Sequence, residues 1–190
     1  MDGRKISRRA AVLGGFALLT TGCSSQMQYA FSGRGPAPRY WRKRVAYSGG
    51  EKPGTLVVDT GEHFLYAVED GGWATRYGVG VGEQGLTMKG NATVGRKAEW
   101  PSWRPTESMM KRKPRLVQYA DGVPGGLNNP LGAAALYLYQ GGQDTMFRIH
   151  GTNEPWTIGH DVSSGCIRMT NDNIVDLYQR VPVGTQVLII

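Results

Sequence analysis

Two cysteines in 190 residues, Cys23 and Cys166, are too few for a disulfide framework, and no intramolecular pair is expected to staple a mature domain. Long apolar runs are also missing. Residues 10–19 form an apolar stretch too short to span a bilayer as a stable helix, which points to an export signal. Acidic residues are the scarcer charge, 15 against 22 basic, for a net +7. Residues 1–23 hold four of the basic residues and one acid, so +3 belongs to them and +4 to the remainder. That balance suits an anionic polymer or a membrane surface, or plain solubility, and no nucleic acid partner is expected. A dinucleotide fingerprint is excluded as well, because Gly78-Val-Gly-Val-Gly82 lacks the helix that must follow it.

Glycine is abundant, at 28 residues, which favours turns and strands over helices. With 40% hydrophobic residues the chain can bury one core, so one domain plus appendages is expected. In residues 1–23, Arg4, Lys5, Arg8 and Arg9 precede the apolar stretch, and Ser7-Arg8-Arg9 resembles a twin-arginine export signal. Gly22-Cys23 resembles a lipoprotein cleavage box, with Thr20 where leucine is preferred, so Cys23 is a candidate membrane tether. Residues 24–54 are rich in Gly, Pro and Arg and read as a basic spacer. There Tyr40 and Trp41 either meet a polysaccharide or lipid surface or strap onto the domain.

The folded domain is expected over residues 55–190, beginning with a meander of antiparallel strands at 55–59, 63–68 and 73–81. Residues 86–97 add a short strand. Thr106 can cap a short helix through Glu107, Met109 and Met110 that Pro114 restarts, and Asp121 to Pro130 is loop by composition. This insertion, with Trp100, Trp103 and a run of Lys and Arg, is either a groove wall meeting carboxylates or a covering with a solvated basic face. Strands at 131–139 and 145–150 follow, joined by a turn at 140–144. Thr170 or Asn171 then caps a helix bearing Ile174, Val175, Leu177 and Tyr178, and residues 184–190 close as a strand.

Chemistry concentrates between Arg148 and Asn171. Cys166 follows His150 by sixteen residues, and a thiol beside an imidazole is a nucleophile and base pair if the intervening loop folds back. A buried structural thiol is the bland alternative. Zinc held by His150, His160 and Cys166 is another, although the spacing matches no usual metal motif. His63 and His160 read as surface histidines, and Trp156 as a loop anchor or a substrate platform.

His150-Gly151-Thr152 followed by Ser163-Ser164-Gly165-Cys166-Ile167-Arg168-Met169 and then Asn171 resembles the signature of the L,D-transpeptidase catalytic domain, the YkuD-type family of bacterial cell-wall enzymes. The resemblance implies a mainly β, β-sandwich-like domain with one clear helix after the cysteine and a loop and helix insertion. It implies Cys166 as nucleophile, His150 as base, the Gly151 carbonyl orienting the imidazole, and backbone N–H groups around Ser164, Gly165 and Cys166 as the oxyanion hole. Ser163, Trp156 and Arg168 become candidate substrate contacts, with Arg168 either pairing a substrate carboxylate or bracing the loop. Peptidoglycan stem peptides are the implied partner, in the cell envelope, with no cofactor or metal. Many members carry His where Ser164 stands, a change that leaves the base in place and alters the pocket wall.

Overall fold

The computed structural model describes residues 35–83 and 86–190. The expected export signal, the cleavage box at Cys23 and the first part of the spacer lie outside the described residues. No described helix is long and apolar enough to cross a membrane.

The domain is mostly β. Two antiparallel meanders are stitched together by the last strand. The first comprises β2 (Leu56–Asp59), β3 (Phe64–Glu69) and β4 (Trp73–Gly78), and the second β6 (Gly90–Glu99), β7 (Ala134–Gln140) and β8 (Gln143–His150). The C-terminal strand β11 (Gln186–Ile189) runs parallel to β2 and antiparallel to β6, completing a sheet in which the order β4-β3-β2-β11-β6-β7-β8 is flanked by short edge strands at Lys43–Ala46 and Ile167–Arg168. Its place is set by composition, since Val187 and Ile189 are each 1% exposed and β-branched side chains pack well on a pleated surface. Leu56, Leu65 and Tyr77 at one end of the sheet share a single core with Leu136, Ile149 and Ile167 at the other. The sheet therefore curls onto itself. Each fully buried aliphatic side chain in that core contributes about 1.5–3 kcal/mol of burial free energy.

Some boundaries differ from expectation. The stretch read as a spacer contributes β1 (Lys43–Ala46), an edge strand paired to β4. Only Val45 in it is half-buried, and lysine and arginine are what edge strands carry against unwanted pairing, so its sequence looks like linker. Upstream, the Tyr40 ring packs on Phe64 at 5.5 Å between centroids. Arg42 pairs with Asp176 at 2.9 Å, strapping this stretch to the domain. The strand at residues 86–97 is longer than expected, running to Glu99 with a bulge between Val94 and Arg96. β8 begins at Gln143, so the turn before it is only Gly141-Gly142. The expected strand at 73–81 breaks after Gly78, and Val81 falls in a separate short strand, β5 (Val81–Gly82), paired in parallel with β9 (Asp161–Ser163); β9 and the likewise parallel-paired β10 (Ile167–Arg168) had no local signature.

The insertion carries α1 (Glu107–Arg112), capped by Thr106 Oγ1 accepting from the Met109 N–H, and a 3-10 helix at Pro114–Tyr119. After the cysteine comes the full-length helix α2 (Asn171–Arg180), whose Ile174 and Leu177 are fully buried. Val175, expected on the same apolar face, is instead 39% exposed. Lys97 closes the far end of α2, donating to the Tyr178 and Val181 carbonyls at 2.6 and 2.7 Å, where the helix dipole favours a cation.

Candidate active site

His150 is the last residue of β8, held from both sides. It sits opposite Ala135 of β7 and opposite Arg168 of β10, and its carbonyl accepts from the Met169 N–H at 2.8 Å. Strand alternation turns Ile149 and Ile167, 0% and 1% exposed, into the core. The residues flanking them, Arg148 and His150 on one strand and Cys166 and Arg168 on the other, share the opposite face. The parallel pairing of β8 with β10 is thus what folds the intervening loop back and sets Cys166, just before β10, beside Arg148, two residues along β8 from His150.

His150 is only 4% exposed, and its Nδ1 meets the Gly151 carbonyl at 2.5 Å. A carbonyl can only accept, so Nδ1 carries the proton and Nε2 is left with its lone pair. Burial, reinforced by the charges of Arg168 and Arg148, lowers the imidazole pKa to about 3 against the pull of the Gly151 hydrogen bond. Cys166 is a free, half-buried thiol whose Sγ points at the Met146 carbonyl, 3.9 Å away. Burial pushes its pKa up, partly countered by the Arg148 N–H and by the Arg148 and Arg168 guanidinium groups. At neutral pH the resting pair is therefore a thiol and a neutral imidazole.

The turn before the cysteine is braced internally. Ser163, 2% exposed, donates to the Cys166 carbonyl at 2.5 Å and accepts from the Gly165 N–H at 3.1 Å. Both engagements give Ser163, a candidate substrate contact, a structural place in the turn, and they commit the Gly165 N–H, expected in the oxyanion hole, to the serine. The Ser164 and Cys166 amides are the neighbouring donors that this serine does not take. Gly165 has φ +124°, and a Cβ there would stand 2.5 Å from the Phe147 ring and 2.7 Å from the Leu86 carbonyl oxygen. Glycine is required on both counts.

Arg168 faces the loop. Its guanidinium pairs with Glu154 at 2.8 Å and its backbone is tied to Gly80, while Nε is buried without a partner among the described residues. These contacts are those of a loop brace, one of its two expected roles. Trp156 lies in a 3-10 turn (Pro155–Thr157) and is 50% exposed. His160 is exposed in the same loop, and among the described residues no group of three or more His, Cys, Asp or Glu side chains is arranged to hold a metal. His63 is less superficial than expected: its Nε2 meets Asp161 of β9 at 2.8 Å.

Two features escaped sequence reasoning. In β8 a bulge opposite Leu138 puts Met146 at φ +64° and directs its carbonyl to the thiol. Bulges next to sites re-aim groups in this way, but nothing in Asp-Thr-Met-Phe announces one. The second is Asn171. Thr170 caps α2, and Asn171 reaches across to the backbone at Ala133 and Thr152. The glycines at 132 and 151, which leave room for it, were the available signal.

A family model described as the L,D-transpeptidase catalytic domain (YkuD) matches residues 53–189. The chain belongs to this family. A probable L,D-transpeptidase of Escherichia coli K12, ErfK/SrfK, is 39% identical over 142 residues, covering 71% of this chain. The chain spans only 43% of that relative's length. An L,D-transpeptidase structure from Mycobacterium smegmatis, at 20% identity and a TM-score of 0.52 over 72% of this chain and 58% of the other, shares the fold. A Brucella melitensis structure named a probable carnitine operon oxidoreductase is 48% identical, with a TM-score of 0.55, over 81% of this chain and 96% of its own. That name describes the other protein.

Proposed function

We propose that the chain is a peptidoglycan L,D-transpeptidase with Cys166 as nucleophile and His150 as general base. The observation that carries this reading is the shared face of Cys166 and His150 across the β8 and β10 pairing, with Nδ1 engaged by the Gly151 carbonyl. Sγ attacks the carbonyl of the L-to-D peptide bond in a stem tetrapeptide as Nε2 takes its proton. The tetrahedral oxyanion is met by backbone N–H groups near Ser164 and Cys166. Collapse passes the proton from the imidazolium to the leaving nitrogen, releasing D-alanine and leaving a thioester on Cys166. An amine of a second stem, such as that of diaminopimelate, attacks the thioester with His150 again as base, giving a 3→3 cross-link and the free thiol.

The neutral resting pair suits this order of events. Proton transfer accompanies attack, so charge appears only when substrate has closed the site. Arg148 and Arg168 favour the transient thiolate and oppose the imidazolium, so their effects on an ion pair offset, and burial, the largest cause at both groups, keeps the free enzyme's pair neutral. Action on peptidoglycan places the protein in the cell envelope, reached through the export signal and tethered there if Cys23 is acylated.

Intact-mass measurement after incubation with a carbapenem tests the first half-reaction. One covalent adduct is expected on the wild type and none on Cys166→Ser; a folded wild-type protein that stays unmodified rejects the mechanism. Digestion of sacculi with and without the enzyme, with mass assignment of new muropeptides, identifies the acceptor. New tripeptide stems without cross-links would mean that water resolves the thioester. Unchanged muropeptides alongside retention on peptidoglycan by wild type and Cys166→Ala alike would mean a binding module.

A further inference from the structure

His150 depends on one peptide unit, and that unit is held at both ends. The carbonyl of the Gly151-Thr152 peptide receives the His150 Nδ1 proton at 2.5 Å, and the N–H of the same peptide donates to Asn171 Oδ1 at 3.2 Å. The same oxygen accepts from the Ala133 N–H at 3.0 Å. Two backbone donors converge on one side-chain atom, which must be the amide oxygen. The two glycines alongside, Gly132 and Gly151, have no side chain to block it, and a Cβ at either would collide with this oxygen.

Asn171 is free for this task because Thr170 Oγ1 already accepts from the Asn173 N–H at the start of α2. Its mount is stiff. Ile174 and Leu177, one and two turns along the same helix, are fully buried. The Gly151 N–H donates to the Ala134 carbonyl at 3.0 Å, so the loop is tied to β7 just before the clamped peptide.

We propose that Asn171 is a positioning residue that fixes the Gly151-Thr152 peptide plane, and through it the tautomer and orientation of His150. A peptide plane cannot turn its carbonyl without turning its N–H. Anchoring the N–H therefore aims the carbonyl at Nδ1, keeps the proton there and leaves Nε2 basic toward Cys166. Without the anchor the plane can rotate, Nδ1 loses its acceptor, and the imidazole populates the tautomer that cannot take the thiol proton. This assignment rests on His150 acting as the base.

Histidine ¹⁵N NMR of the folded protein at neutral pH reads the tautomer directly, independently of turnover. The wild type should show Nδ1 protonated, and Asn171→Ala should show both tautomers, with carbapenem acylation slowed on the order of 10-fold to 100-fold. A folded Asn171→Ala that keeps the wild-type tautomer and acylates within two-fold of wild type overturns the proposal. Asn171→Asp, which retains the accepting oxygen, covers the case in which the alanine variant fails to fold. Its carboxylate, one peptide from the ring, should preserve the tautomer and raise the pH at which His150 titrates, and an unchanged titration would overturn the proposal. A wild type that shows the tautomer shift on mutation yet forms no adduct would reject the cysteine mechanism and leave the positioning role intact.

Discussion

The turn around Cys166 and the insertion over residues 101–130 are both irregular, glycine-rich and adjacent to the sheet, yet they are built in opposite ways. In the first, Ser163, Gly165, Ile167, Met169 and Thr170 are all buried, and serine, asparagine and backbone groups hold one another in place. In the second only Pro101, Pro105 and Asn129 are buried, while Val117, Tyr119 and Leu127 stand 57%, 41% and 75% exposed. Asn129 holds the loop by donating to the Val123 and Pro124 carbonyls. Lys113 joins the two regions by pairing at 2.6 Å with Glu83, whose N–H donates to the Ser163 carbonyl. A segment that must aim a nucleophile has its conformation over-determined. One that covers a face can be held by a few contacts.

The sharpest way to break this contrast is at the base. His150→Gln, which keeps size and hydrogen-bonding capacity, should slow carbapenem acylation by about 10²- to 10⁴-fold. Substitutions at Lys111 or Arg115, by contrast, should leave the first-order acylation rate within a few-fold, and stopped-flow fluorescence compares them. Next in size is backbone fit. Gly165→Ala meets both a left-handed φ and a collision, and should cost about 2 kcal/mol or more in chemical denaturation. Gly126→Ala in the insertion has open space at its Cβ position and should cost less, since only backbone strain remains. Equal losses at the two sites would dissolve the distinction.

Acid should act on the first region through His150. His150 titrates at about 3 in the folded protein against an ordinary 6.5, so between those values the unfolded chain binds a proton that the folded one refuses. Its contribution to stability is therefore complete above pH 6.5 and is lost as pH falls toward 3. Thermal melts over that range should decline less steeply for His150→Gln than for wild type. Alkylation of Cys166 by iodoacetamide should accelerate only at pH above the ordinary thiol value of 9.0, because burial raises its pKa. The smallest effect belongs to the link. Lys113 and Glu83 are 30% and 44% exposed, so Lys113→Ala should change stability by less than about 1 kcal/mol, and less still in high salt.

Legibility in the sequence followed the same division. Strands with β-branched alternation, such as Leu56–Asp59 and Phe64–Glu69, and the Thr170-capped helix were readable because their signals are local. Cys166 and His150 stood out because a thiol with a histidine and glycines at fixed spacing is chemically specific. The edge strand at Lys43–Ala46 was hidden by its charges, and β9 and β10 by being two or three residues long. Ser163, a candidate substrate contact by sequence, also braces the turn. No local pattern distinguishes a hydroxyl that faces a ligand from one that faces its own backbone.

By itself the sequence determined the longer strands and the two α-helices, the chemical identities at 150 and 166, and the glycines that the tight turns need. Only the tertiary structure decided that β10 lies parallel to β8, that the Gly165 N–H is taken by Ser163, and that Asn171 clamps the peptide on which His150 depends. The reason is one of range. Propensity and periodicity act within a few residues, whereas the β8–β10 pairing and the Asn171 clamp join positions 18 to 38 residues apart and form only when burial of Ile149, Ile167, Ile174 and Leu177 pulls β8, β10 and α2 onto one core; the short Ser163 contact depends on the turn that this pairing closes.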